Sequence, residues 1–314
     1  MEANLVELAK RYADENKARE LLESIRWPNG ARCPKCGGAE AYKITPKLGS
    51  KTRKGLWKCK ACREQFTVTV GTIFEDSHIP LGKWLMATHL LCASQKGMSA
   101  HQLHRMLGIT YKSAWFMAHR IRYAMQQPPL KGKLKGIVEA DETYVGGKAK
   151  NRLGGKRGRG ALNKTPVLSL VERRGRVRSF PMSRVTGKLL KSVIKYHVHP
   201  EARLMTDRFS PYHGLSKDIA SHETVDHHRG EYVRGDVHTN TVEGFFSLLK
   251  RGIIGTYHYV GSRHLWRYCH EFDFRYNQRN VTDAARTAIA LKQAEGKRLT
   301  YQPLVNKNVH GLVI

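Results

Sequence analysis

Apolar residues recur at helical spacing through residues 3–25, at Leu5, Leu8, Tyr12, Ala18, Leu21, Leu22 and Ile25, and Trp27-Pro28 closes the run. Shorter β-like runs follow at 41–45, 56–59 and 65–70. The helical period returns in three segments, 80–95, 99–107 and 110–125. Ser99-x-x-Gln102 is a capping-box pattern for the second of these, Gly108-Ile109 makes a turn, and Thr110 can cap the third. Leu103, Met106 and Leu107 form one inward stripe, and Ala114, Met117, Ala118 and Ile121 form the next. That leaves Lys112, Ser113, Trp115, His119, Arg120 and Arg122 for other surfaces.

Pro128-Pro129 and the basic, Gly-containing stretch after it read as a linker, and beyond them the texture changes. Strand-like runs at 136–145, 166–173 and 176–182 precede a helical run at 186–198, a strand at 202–207 and a short β run at 222–228. Helical periodicity then occupies 238–251, 262–278 and 281–294, and the last twenty residues give no clear signal. Strands first and helices interleaved later predict a mixed sheet with helices packed on it, an α/β domain.

A length of 314 residues leaves room for two or three domains, and 40% apolar residues suffice for at least one large core. No stretch has the length and apolarity of a membrane span, and the first residues read as neither signal peptide nor anchor. The expectation is a cytoplasmic, DNA-associated protein. Charge carries more: 55 Lys and Arg against 26 Asp and Glu give +29, a surface potential that favours polyanions, nucleic acid above all. On charge alone a ribosomal or membrane-surface protein stays open. Six basic residues and no acid lie among the glycines of 146–160, directly after the strand bearing Asp141. That composition predicts a cationic loop, with Lys156, Arg157 and Arg159 touching DNA phosphates. The helix holding Lys112, Arg120 and Arg122 is a candidate for the major groove as the second helix of a helix-turn-helix, although a plain three-helix bundle uses the same caps and turn.

Of six cysteines, four form two Cys-x-x-Cys pairs, Cys33/Cys36 and Cys59/Cys62, with 22 residues between them. Four thiolates in β-rich surroundings make a closed structural Zn²⁺ site, a zinc ribbon, and Gly37-Gly38 suits the turn behind the first pair. Cys92 and Cys269 sit in apolar helical runs and read as core.

Three acids share a chemical logic. Asp141 lies in the run 137–145, Asp207 ends the strand 202–207, and Glu243 lies near the start of the helix 238–251 with Gly244 leaving room beside it. Hard oxygen ligands of this kind can hold two Mg²⁺ about 4 Å apart for phosphodiester chemistry. Lys250 follows Glu243 by seven residues, about two turns, so it shares that face and can hold a phosphate, with Arg251 beside it. Singly, each acid also reads as a turn or surface carboxylate, and Glu139, Glu142 and Asp226 stand in comparable settings.

Taken in order, the two Cys-x-x-Cys blocks, the segment 97–122 and the blocks VEADETYVGG, LMTDRFSPY and HTNTVEGFFSLLKRGIIGTYH make the chain resemble the DDE insertion-sequence transposases that carry an N-terminal zinc ribbon, relatives of the Merlin transposons. The resemblance covers nearly the whole chain, with 35 residues between Asp207 and Glu243. It implies an RNase H-like catalytic domain, Mg²⁺ as the working metal with Mn²⁺ as a substitute, and Asp141, Asp207 and Glu243 as catalytic ligands, with Asn240 as an auxiliary orienting group. It also implies action on the terminal inverted repeats of the element, joining to double-stranded target DNA, and a homodimer or larger assembly on DNA. The expected layout is a helical segment at 1–30, the ribbon at 31–75, the helix-turn-helix region at 79–127, the catalytic domain at 134–295 and a tail at 296–314. A zinc-ribbon transcription regulator would use the first 126 residues without the three acids. An RNase H-like nuclease would use the acids without strand transfer.

Overall fold

The computed structural model describes residues 5–46, 49, 53–127, 132–146 and 164–305. Lys156, Arg157 and Arg159 of the basic insertion, the proline pair and residues 306–314 of the tail lie outside the described residues. Two compact units result, one of residues 1–125 with 281–305 and one of 126–280 with 306–314.

In the first unit, the opening helical run divides into α1 (Leu5–Ala13) and α2 (Glu15–Arg26) rather than running through. Asp14 takes an extended conformation between them, and its carboxylate accepts from the N–H groups of Asn16 (2.8 Å) and Lys17 (3.3 Å), as an N-cap does. Strands β1 (Ala41–Lys43), β2 (Trp57–Cys59) and β3 (Gln65–Phe66) pair antiparallel into a small sheet. Trp27, read as a stop signal, is buried edge-on against Trp57 (5.8 Å) and Phe66 (5.7 Å). Helices α3 (Leu81–Ala93), α4 (Ala100–Leu107) and α5 (Tyr111–Met125) follow, with Ser99 accepting from Gln102 N–H and Gly108 turning the chain at φ +58°.

The second unit is built on a five-stranded sheet. Strand β4 (Ile137–Gly146) pairs antiparallel with β5 (Lys164–Glu172), which pairs antiparallel with β6 (Val177–Pro181). On its other side β4 runs parallel to β7 (Arg203–Asp207), and β7 parallel to β8 (Ser221–Val225), giving the order β6-β5-β4-β7-β8. Helix α6 (Gly187–His197) covers one face, where Val138, Ala140, Leu168 and Leu170 meet Leu190, Ile194 and Tyr212. A hairpin of β9 (Val233–Arg234) and β10 (Val237–His238) leads into α7 (Asn240–Gly252) and then α8 (Ser262–Asn277). These two helices cover the other face, where Val145, Val167 and Val171 meet Phe245, Leu249 and Phe272. Alternate residues of β5 therefore serve opposite cores, the pattern of a strand buried on both sides.

Helix α9 (Asp283–Lys292), assigned by sequence to the catalytic domain, clusters with the first unit, so the second ends before the sequence boundary at 295. The reason is local: α9 packs on α3, and Glu295 just beyond it pairs with Arg26 at 3.2 Å. The tail also contains a short helix, α10 (Gln302–Val305). Among the described residues no helix is long and apolar enough to cross a membrane.

Candidate functional site

The parallel pairing of β4 with β7 sets Ile137 opposite Arg203 and Glu139 opposite Met205. Two residues further on, Asp141 and Asp207 occupy the same level of adjacent strands and the same face of the sheet. That is the face covered by α7, and Glu243 lies in the first turn of α7. One strand alignment and one helix placement thus converge three acids far apart in sequence.

The three acids lie close enough to feel one another's charge. Burial and the charges of Glu142, Asp207 and Glu243 push the Asp141 carboxyl up to about 8. Asp207 is raised as well, chiefly by burial and also by Glu243, against the lowering effects of the Phe209 N–H and the cationic forms of His227 and His228. Each carboxylate is held. Asp141 Oδ1 accepts from Glu142 N–H (2.8 Å), Asp207 Oδ1 from Phe209 N–H (3.1 Å), and Glu243 Oε1 from the Thr239 hydroxyl (2.8 Å). His227 Nε2 stands 3.8 Å from Glu243 Oε1.

Hard, mutually repelling oxygens are the donor set that divalent Mg²⁺ takes. Among the described residues, however, only the four cysteines bring all their ligand atoms within 4.8 Å of one another. Gly244 is exposed, and a Cβ there would meet nothing within 4 Å, which leaves the side of Glu243 open. Lys250 and Arg251 are exposed in the last turn of α7.

The structure separates the competing acids. Glu142 turns to the opposite face, where the buried Tyr212 hydroxyl donates to its Oε2 (2.7 Å). Asp226 pairs with Arg208 (3.1 Å) and Arg229 (3.5 Å). Glu139 is fully buried and accepts from the N-terminal amides of α7. Asn240, expected to orient a ligand, is exposed at the start of α7, and Thr239 contacts Glu243 instead. Sequence reasoning did not find Thr239 or His227. Thr239 carried one usable signal, its place four residues before Glu243, one helical turn away.

In the ribbon, Cys33 and Cys62 sulfurs lie 3.6 Å apart, as do those of Cys36 and Cys59. Zn–S bonds of about 2.3 Å give a tetrahedron with an edge of about 3.8 Å, so the set fits zinc as it stands. Gly37 holds φ +73°, and its N–H donates to Cys33 O (2.9 Å), closing the first knuckle. A Cβ on Gly38 would come within 3.3 Å of Cys36 Sγ.

The α4–α5 pair corrects part of the expected DNA surface. Lys112 is exposed in the first turn of α5, its ammonium 4.8 Å above the Tyr301 ring. Arg120 and Arg122 are buried, at 4% and 2% exposure, and do not stand on an open face. Arg120 donates to Glu75 O (2.6 Å) and lies over the rings of Trp84 and Phe116. Helix α5 packs on α3, α4 and α9, which leaves only its first turn for another molecule. Met106, expected in the inner stripe, is half exposed.

Comparison with known proteins places the chain among transposases. Residues 133–277 match the ISXO2-like transposase domain and residues 13–65 the transposase zinc-ribbon domain. A protein of transposable element ISH50 from Halobacterium salinarum is 32% identical over 255 residues, covering 77% of this chain and 84% of that protein. A chain in the crystal structure of a pre-cleavage Mos1 transpososome aligns over 69% of this chain and 80% of its own length, at 10% identity and a TM-score of 0.23, too distant to inform the fold.

Proposed function

The chain belongs to the ISXO2-like transposase family, with a transposase zinc ribbon ahead of the catalytic region, and we propose that it cuts the ends of its insertion sequence and joins them to target DNA at Asp141, Asp207 and Glu243. The observation that carries this reading is the convergence of these acids, two in register on parallel strands and one on the helix across them. We read the second unit as RNase H-like, a reading supported by the order β6-β5-β4-β7-β8 with helices on both faces.

In the first displacement, water attacks the phosphorus at the element end. The P–O3′ bond breaks, leaving a 3′-hydroxyl on the element and a phosphate on the flank. In the second, that hydroxyl attacks a target phosphorus and displaces a target 3′-oxygen. Two Mg²⁺ bound by the three carboxylates would stabilise charge on the entering and leaving oxygens, and Mn²⁺ would serve in their place. Asp141 and Asp207 fix the depth of the site and Glu243 closes it from α7. Lys250 and Arg251 hold the backbone of the bound end. The zinc ribbon and the exposed first turn of α5, with Lys112, read the inverted repeats, in the manner of a helix-turn-helix. Lys156, Arg157 and Arg159 steady flanking or target DNA. Two ends must be paired, so a dimer or larger assembly forms on DNA.

The test incubates purified protein with labelled element-end duplex, Mg²⁺ and a target plasmid, and resolves the products on a gel. Joined products support the reading. Hydrolysis without joining would make the protein a nuclease, and end binding without cleavage would make it a regulator.

A further inference from the structure

Helices usually cap themselves. In this chain Asp14, Ser99, Thr186 and Thr282 each accept from the first-turn amides of their own helices. Helix α7 begins with a suitable residue, Thr239, whose side chain makes no such bond. Its hydroxyl donates to Glu243 Oε1 (2.8 Å) instead.

The vacated role is filled from the neighbouring strand. Glu139 Oε2 accepts from Thr241 N–H (2.7 Å) and Val242 N–H (3.0 Å), the two amides an N-cap would satisfy. Its Oε1 accepts from the Thr241 hydroxyl (2.8 Å) and from Arg173 Nε (2.5 Å). Arg173 also donates to Asp236 O (2.7 Å) and His238 O (3.0 Å), which anchors the chain entering α7. The Glu139 carboxylate is wholly buried, between this cation and the positive end of the helix. Glu139 stands on the face of β4 that carries Asp141, two residues or about 6.6 Å before it.

We propose that Glu139 and Thr239 are the positioning residues of the carboxylate site. Glu139 caps α7 from β4 and so fixes the helix bearing Glu243 against the strand bearing Asp141. That frees Thr239 to aim the Glu243 carboxylate into the cleft. The inference rests on the reading of Asp141, Asp207 and Glu243 as divalent-metal ligands.

Thr239→Val keeps the shape and removes the donor, Thr239→Ser restores it, and Glu139→Gln removes the charge and one acceptor of the cap. Mn²⁺ bound to the full-length protein, counted by electron paramagnetic resonance, gives a readout independent of cleavage. Thr239→Val is expected to melt and bind end DNA as the wild type does while its Mn²⁺ affinity falls about tenfold, with Thr239→Ser near wild type. In Glu139→Gln, the Thr241 and Val242 amides should exchange hydrogen about tenfold faster, with a comparable loss of Mn²⁺ affinity. Wild-type Mn²⁺ affinity in Thr239→Val, or unchanged amide protection in Glu139→Gln, would overturn the proposal. Asp141→Asn separates the two readings: if it binds Mn²⁺ as the wild type does, the metal site itself is wrong and the positioning scheme falls with it.

Discussion

Asp141 and Asp207 stand on the same face of the sheet because β4 and β7 run parallel in register, so shifting either strand by one residue would turn its acid to the other side. Such a pair is costly in the free protein, since burial and neighbouring charges disfavour the ionised Asp141. Asp141→Asn should therefore abolish cleavage and joining, by at least about 10³-fold, while end binding persists. The same variant should be more stable than the wild type by about 1–2 kcal/mol at pH 8 without divalent metal. Denaturant titration and the end-joining gel check the two halves, and a variant that still joined ends would remove Asp141 from the site.

The pH dependence has a definite sign. The Asp141 carboxyl rises from the usual 3.8 to about 8, so the folded chain holds a proton that the unfolded chain has released. Without metal, this group's contribution to stability declines as pH rises from about 4 towards about 8. A divalent cation needs the ionised form and must expel that proton. Mg²⁺ affinity should then climb about tenfold per pH unit up to about 8 and level off above it. Asp207 is also raised, which steepens the lower part of the climb. Calorimetric Mg²⁺ titrations at pH 6, 7, 8 and 9 measure this, and a flat profile would contradict it.

The ribbon yields a prediction of another kind, since its sulfurs already stand at zinc spacing. Purified protein should carry one zinc per chain. Chelation, or Cys33→Ser with Cys36→Ser, should unfold the ribbon and expose Trp27 and Trp57, because three short strands cannot hold their pairing alone. Tryptophan fluorescence and metal analysis report both events. Unchanged emission after complete zinc loss would show that the metal is not structural.

What the sequence showed and what it hid follow from how each feature is encoded. The four-cysteine cluster was legible because residue type and spacing carry its chemistry, whereas Asp141, Asp207 and Glu243 could be picked from 26 acids only through the order of the motifs around them. The roles of Glu139 and Thr239 were not legible, because they exist only once β4 lies beside the start of α7, about a hundred residues away in the chain. The break at Asp14 was hidden by apolar periodicity that continues across it, although Asp is a good N-cap. The inward turn of Arg120 was hidden for a different reason. Its partners, Trp84 and the Glu75 carbonyl, come from other segments, and an arginine stem packs on aromatic rings as readily as it faces water.

That distinction between cations on the surface and cations in the core can be measured. Lys250 is exposed in the last turn of α7 and Lys112 in the first turn of α5, whereas Arg120 is buried by its hydrogen bond and two ring contacts. A side chain that neutralises a phosphate releases a counterion, so Lys250→Ala and Lys112→Ala should each flatten the log–log salt dependence of end binding by about 0.9. Their melting should stay within about 0.5 kcal/mol of wild type, as for surface substitutions. Arg120→Ala should do the opposite, destabilising its unit by about 2–3 kcal/mol through the lost packing and the orphaned Glu75 carbonyl. Its salt slope should not change. Binding isotherms at several salt concentrations, paired with denaturant curves, place each variant. An Arg120→Ala protein with native stability and a slope reduced by one would return that guanidinium to the DNA surface.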